Sequence, residues 1–436
     1  PLGDGSGGEI GRAQWLQALA CGRPSSVDMN PVLLKPQSET GSQIVVHGKV
    51  RGAAKGRDYQ KLKPQFLDAV LESHKRLCET SDLVIVEGAG SPAEINLRNG
   101  DIANMGFATA ANVPVVLVGD IDRGGVIASL VGTHAILPET DRNMIAGYLI
   151  NKFRGDVSLF DDGLTAIEDF TGWCSFGVVP WLSMANRLPA EDSVALEKGV
   201  DTGGDGATVV VPVLSRIANF DDLDPLRLQP GIRLVFVRPG DAWPTDAKLV
   251  VLPGSKSTIA DLEQFRTLGW DRRLLQHVER GGHVLGICGG YQMLGKVVRD
   301  PQGIEGPQTE ARGLGLLDVE TVLVPQKTVL NRKATDASGG APLDGYEIHM
   351  GRTTGADTNK PLIHLDGVPD GASSEDGRVR GCYLHGLFAT DEWRVAYLRG
   401  IGINVPSANY RANVQTALDE LADALEDVVD PAIFDL

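Results

Sequence analysis

Gly282-His-Val-Leu-Gly-Ile-Cys-Gly-Gly-Tyr-Gln292 is the stretch on which the reading turns. Residues 283–287 form a short apolar run of the kind buried in a parallel sheet, Cys288 follows at once, and helical sequence begins at Tyr291. A sharp strand-to-helix turn would present the sulfur at the C-terminal edge of the sheet. The aligned dipoles of a helix's first turn favour thiolate, and Gly289 tolerates strained backbone angles while offering an N–H to a developing oxyanion. A cysteine after a strand is more often an inert core residue, but the small residues flanking Cys288 tilt the reading towards a nucleophile. The partner base is His385, which Gly381-Cys-Tyr-Leu-His-Gly386 places after a second short β-like run. Nucleophile and base then come from separate strand ends.

Outward from this turn, further strand-like runs lie at 208–214, 233–237 and 249–252. The first half has its own series at 82–87, 113–118, 145–150 and 177–180, with helical spacing over 64–80. This alternation predicts an α/β protein of two doubly wound domains, each a mostly parallel sheet flanked by helices. The expected domains are 1–205 and 206–436, divided within a Gly- and Asp-rich spacer at 197–206. After Asn413 the chain reads as an amphipathic helix with Val414, Leu418, Leu421 and Leu425 on one stripe, the closing element of the fold.

A chain of 436 residues is too long for one ordinary core, which also points to two or more domains. Its net charge of −16 argues against a partner that is nucleic acid, because phosphate tracking needs a basic stripe. The five cysteines show no CxxC spacing, which disfavours a zinc site and a disulfide framework and suits a reducing cytoplasm. No run approaches the ~18 uninterrupted apolar residues of a membrane helix. Small molecules are therefore the expected partners, and a homo-oligomer is left open.

The first domain is expected to bind ATP and to activate an acceptor carboxylate by phosphoryl transfer. Asp82-Leu-Val-Ile-Val-Glu-Gly-Ala-Gly90 reads as a strand ending in a carboxylate and glycines, where Mg2+ and phosphates could approach, with Glu87 as metal ligand. Val118-Gly-Asp-Ile-Asp-Arg-Gly-Gly125 gives a second strand end, with Asp120, Asp122 and Arg123 in a loop suited to anionic groups. Asn151 and Lys152 end a third. Arg12, Lys35 and Arg123 are candidates for holding a polyanionic acceptor.

From about residue 209 onward the chain resembles class I glutamine amidotransferase domains, whose nucleophile turn is similar to Gly286-Ile-Cys-Gly-Gly-Tyr-Gln292. The resemblance implies that Gln292 helps hold glutamine and that Gly254, in Leu252-Pro-Gly-Ser255, aims its N–H at the oxyanion. Many members place a glutamate two residues after the histidine; Leu387 stands there, so the branch implied is one working with a Cys-His dyad. Asp344-Gly-Tyr-Glu-Ile-His-Met-Gly351 resembles the branch of cobyric acid synthase and cobyrinate diamide synthase, with Glu347 and His349 on one strand face as orienting groups.

In the first half, Gly7-Gly-Glu-Ile-Gly-Arg-Ala-Gln14, Val27-Asp-Met-Asn-Pro-Val-Leu-Leu-Lys-Pro36, Val86-Glu-Gly-Ala-Gly-Ser91 and Gly119-Asp-Ile-Asp-Arg-Gly-Gly125 resemble the cobyric acid synthase family in order. Asn151 is similar to the base-contacting Asn of dethiobiotin-synthetase-like domains. The family implies ATP- and glutamine-dependent amidation of adenosylcobyrinic acid a,c-diamide to cobyric acid in cobalamin biosynthesis. No Gly-x-x-x-x-Gly-Lys-Ser/Thr phosphate loop occurs, and residues 1–6 read as a linker. The rival expectations are amidation of another acceptor, as by the a,c-diamide synthase or a lipid-intermediate amidase, and a corrinoid-binding protein with an inactive synthetase half.

Overall fold

The computed structural model describes residues 8–36, 41–190 and 206–436. The linker expected at 1–6 and nearly all of the spacer at 197–206 lie outside the described residues. The chain folds as two compact units, one of Ala18–Leu188 with Val414–Leu436 and the other of Pro1–Gln17 with Pro189–Asn413. Composition alone gave no sign that each end of the chain joins the unit built mainly from the other half.

In the Ala18–Leu188 unit, β1 (Val32–Pro36), β2 (Gly41–Val46) and β3 (Lys49–Lys55) make an antiparallel sheet. A parallel sheet follows, with β4 (Val115–Asp120), β5 (Ile145–Phe153) and β6 (Cys174–Pro180) in that order. Tyr148, Ile150 and Ile167 are fully buried where the helix Asp161–Thr171 and the sheet share one core. The expected helix at 64–80 forms as Leu67–Thr80.

The strand expected at 82–87 does not form. Those residues carry no strand assignment, and Leu83, Ile85 and Val86 are 53%, 80% and 44% exposed. An extended run becomes a strand only by hydrogen-bonding to a neighbour, and none of the described strands pairs with it. Apolar composition cannot supply that partner.

The Pro189–Asn413 unit is built on β7 (Ala207–Pro212), β8 (Ile217–Ala218), β9 (Ile232–Val237), β10 (Leu249–Leu252), β11 (Gly254–Ser255) and β12 (His283–Ile287). Then come β13 (Val297–Arg299), β14 (Glu310–Arg312), the long β15 (Val319–Asp336) and β16 (Pro342–Gly355). The last are β17 (Ile363–Leu365), β18 (Val368–Asp370), β19 (Ala372–Ser373), β20 (Val379–Cys382) and β21 (Leu384–His385).

The main sheet runs β19-β20-β12-β10-β7-β9 and is parallel except at its β19 edge. Every residue of β10 is buried, as are Val209, Val210, Val211, Val284 and Leu285, because helices such as Thr258–Thr267 and Trp270–Glu279 cover the sheet. Each such side chain contributes about 1.5–3 kcal/mol relative to exposure. A second, mixed sheet runs β14-β13-β15-β16-β21. Both sheets reach the site: β12 leads into Cys288, and β21 ends on His385.

Candidate active site

β12 stops at Ile287 because Cys288 turns the chain, with φ 53° and ψ −108°. A side chain rarely takes a positive φ, and strain of this kind collects at functional turns. The Cys288 N–H donates to the Cys382 carbonyl at 2.9 Å, and the Cys288 carbonyl accepts from the Gln292 N–H at 3.1 Å, so both neighbours hold the turn. The helix then runs Gly289–Leu294.

The turn is packed so closely that glycine is required after the cysteine. A Cβ on Gly290 would lie 2.1 Å from the Leu252 carbonyl oxygen, and one on Gly289 would lie 2.7 Å from the Ser255 nitrogen. Gly290→Ala is expected to cost about 1–3 kcal/mol or more, since backbone cannot give way as a flexible side chain can. The check is the midpoint of denaturant unfolding, and an unchanged midpoint would contradict this packing.

His385 lies at the end of β21 and is 1% exposed. Its Nδ1 is 2.7 Å from Asp222 Oδ2, and the other oxygen of that carboxylate accepts the Gly386 N–H at 2.6 Å. The Tyr346 ring stacks on the imidazole with centroids 5.1 Å apart, and its hydroxyl donates to Asp221 at 3.2 Å. The imidazole Nε2 is buried with no hydrogen-bond partner. Asp222 and, after it, the Cys288 sulfur act on the imidazole electrostatically.

Burial alone would lower the basicity of His385, but Asp222 and Cys288 outweigh it and hold the imidazole well above its ordinary value. Burial raises the Asp222 carboxyl, with the charge of His385 working against it. A buried carboxylate is tolerated only when paired, so a proton is held tightly between Asp222 and His385. The expected Cys-His dyad thus gains a third group. No carboxylate stands near Leu387 in the short helix Leu387–Ala389 that follows β21; the carboxylate comes from the turn Phe220–Leu223.

Asp222 is the residue that sequence reasoning missed. Asp222 and Asp224 are only 2% and 4% exposed. The available signal was the acidic pair Asp221-Asp222 shortly after β8, past Asn219 in the left-handed conformation. Arg12, expected to meet a polyanionic acceptor, instead pairs with Asp221 at 2.8 Å and Asp224 at 3.6 Å.

Gly254 packs against the base: a Cβ there would lie 3.2 Å from His385 Cε1. Gln292 is buried, its Oε1 accepting from Thr258 at 2.8 Å and its Nε2 donating to the Tyr383 hydroxyl at 3.3 Å, so its amide braces the turn. Glu347 and His349 share a face of β16, 3.1 Å apart, as alternation predicted. Neither orients His385 directly. Glu347 accepts from Arg332 at 2.5 Å and His349 stacks on Tyr383, while the carbonyl of Ile348 between them faces the Cys288 sulfur at 3.6 Å. Burial would raise the Glu347 carboxyl, but His349 and Arg332 keep it below its ordinary value.

In the other unit, Asp120 and Asn151 are register partners at the ends of β4 and β5. Asp120 pairs with Lys152 at 2.7 Å and Arg123 at 3.6 Å, and Asp122 pairs with Arg154 at 2.7 Å. The hydrogen bond from Lys152 holds the Asp120 carboxyl below its ordinary value. Glu87 lies in the segment that forms no strand, and no group of three or more metal-ligating side chains exists among the described residues. Lys35 sits on β1 opposite Gln43.

Both halves of the chain resemble known proteins. A CobB/CobQ-like glutamine amidotransferase domain matches residues 208–393, and an AAA domain matches residues 1–187. Cobyric acid synthase of Sinorhizobium fredii is 67% identical over 98% of this chain and 88% of its own length. Cobyric acid synthase of Brucella anthropi is 64% identical over 99% of this chain and 89% of its own. A solved glutamine amidotransferase, 18% identical, covers 45% of this chain and all of its own, with a TM-score of 0.34.

A strained cysteine after a parallel strand, joined to an AAA half, defines an amidoligase of the glutamine-hydrolysing, ATP-dependent class. The chain belongs to the cobyric acid synthase family. No helix among the described residues is long and apolar enough to cross a membrane.

Proposed function

We propose that this enzyme converts adenosylcobyrinic acid a,c-diamide to cobyric acid in cobalamin biosynthesis, using glutamine as nitrogen donor and ATP to activate each carboxylate. The observation that carries the glutaminase half is the buried Asp222–His385 pair whose free Nε2 is left to Cys288. The acceptor rests on the names of relatives about two thirds identical over nearly the whole chain.

In this reading Cys288 attacks the carboxamide carbon of glutamine while its proton passes to His385 Nε2. Backbone N–H groups of Gly254 and Gly289 receive the developing oxyanion. His385 then gives its proton to the leaving nitrogen, ammonia departs, and water attacks the thioester to release glutamate. In the other unit ATP phosphorylates a peripheral carboxylate, and ammonia displaces phosphate from the acyl phosphate to leave the amide. Lys152, Arg123 and Arg154 are the cations proposed to face phosphate, with Asp120, Asp122 and Asn151 positioning them and the nucleotide. Mg2+ commonly enters on nucleotide phosphates with one or two carboxylates, and Glu87 is the ligand proposed for it.

The test is mass spectrometry of the a,c-diamide incubated with enzyme, ATP and glutamine, then with each omitted in turn. Successive replacement of carboxylate oxygen by nitrogen, dependent on both co-substrates, is expected. Glutamine hydrolysis with an unmodified corrinoid would overturn the acceptor assignment.

A further inference from the structure

A largely buried ion pair lies in the unit that carries Cys288. Lys327 Nζ is 2.6 Å from Glu9 Oε1, and the two side chains are 25% and 5% exposed. Lys327 sits where the β15–β16 register is broken between Leu323 and Thr328, a bulge that re-aims side chains. Two residues on, Val329 pairs with Ile348, whose carbonyl faces the Cys288 sulfur. Burial pushes the Lys327 amine below its ordinary range, and the Cys288 charge opposes the shift.

A carboxamide delivered to Cys288 arrives on an amino acid whose other end carries an ammonium and a carboxylate. Taking both charges from water is unfavourable unless each meets its opposite. The pocket must offer one anion and one cation side by side, and in the free protein such a pair satisfies itself. Glu9 and Lys327 meet that requirement, and the Cys288–His385 array leaves them unused.

We propose that Glu9 and Lys327 form the receptor for the head of glutamine, Glu9 taking the α-ammonium and Lys327 the α-carboxylate, exchanging their mutual pair for the zwitterion. The proposal rests on the reading of Cys288 as a glutaminase nucleophile. It also has a consequence for the design of the chain. Glu9 belongs to sequence matched by the AAA domain, yet it folds within the unit that holds Cys288. The segment carrying Glu9 and Arg12 therefore contributes to the glutaminase pocket, and glutamine affinity depends on it.

The experiment pairs each charge with the substrate group it recognises. Glutaminase kinetics are measured for the full chain and for Glu9→Gln, Lys327→Met and Lys327→Arg. The substrates are glutamine, the monoamide of glutaric acid, which lacks the α-ammonium, and the α-methyl ester of glutamine, which lacks the α-carboxylate. Glu9→Gln is expected to raise KM for glutamine roughly 10- to 100-fold, the range for a lost charged hydrogen bond. It should leave kcat close to wild type and KM for the glutaric monoamide unchanged. Lys327→Met should do the same for glutamine and spare the ester, with Lys327→Arg restoring part of the affinity. Equal losses on all three substrates, or an unaltered KM for glutamine, would overturn the receptor. If the wild-type chain neither hydrolyses glutamine nor is alkylated at Cys288 by a γ-reactive glutamine analogue, the glutaminase reading itself fails, a result distinct from either of these.

Discussion

Cys288→Ala is expected to lower glutamine hydrolysis by roughly 10⁴-fold or more, because no other group can form the thioester. Alanine keeps a Cβ on the strained backbone at φ 53°, so the loss reports the sulfur and not the turn. Amidation driven by added ammonium salt should survive, since ammonia then bypasses the glutaminase altogether. Glutamate release and corrinoid mass, followed in the same samples, check both halves of the statement. Near-normal glutamate release would remove Cys288 from its role. Loss of the ammonia-driven reaction as well would mean that the substitution acts on the fold.

Asp222→Asn is the second large effect. The carboxylate accepts two hydrogen bonds, from His385 Nδ1 and from the Gly386 N–H, one on each oxygen. An asparagine of the same shape has one acceptor and one donor, so it can satisfy only one of them. The imidazole is then free to take the tautomer with its proton on Nε2, facing Cys288, where it cannot accept the thiol proton. A fall in kcat of about 10²- to 10⁴-fold with KM little changed is expected, the range for loss of an orienting carboxylate. Because Asp222 raises the basicity of His385, the variant's imidazole should also titrate at lower pH, which its ring proton resonances report. A full loss of kcat with an unmoved titration would mean that Asp222 is only a packing residue.

The local pattern made much of the amidotransferase unit legible. The run at 249–252 is β10 to the residue, and 283–287 is β12, because a strand buried on both faces must be apolar throughout. The turn at Cys288 was equally readable, since close backbone approach leaves glycine as the residue that fits beside it. The strand at 82–87 failed for the complementary reason. Its composition satisfied the rule, but pairing depends on a neighbour that composition does not describe.

By itself, then, the sequence determined the α/β class, the sharp turn at Cys288 and the strand end at His385, each encoded within about ten consecutive residues by periodicity and local sterics. The tertiary structure decided what those residues meet. Asp222 reaches His385 from 163 positions away in the chain, Glu9 reaches Lys327 across 318, and Arg12 finds Asp221 across 209. A buried charge chooses its partner by proximity in the folded core, where an unpaired one is too costly to keep. That choice leaves no periodic trace along the chain.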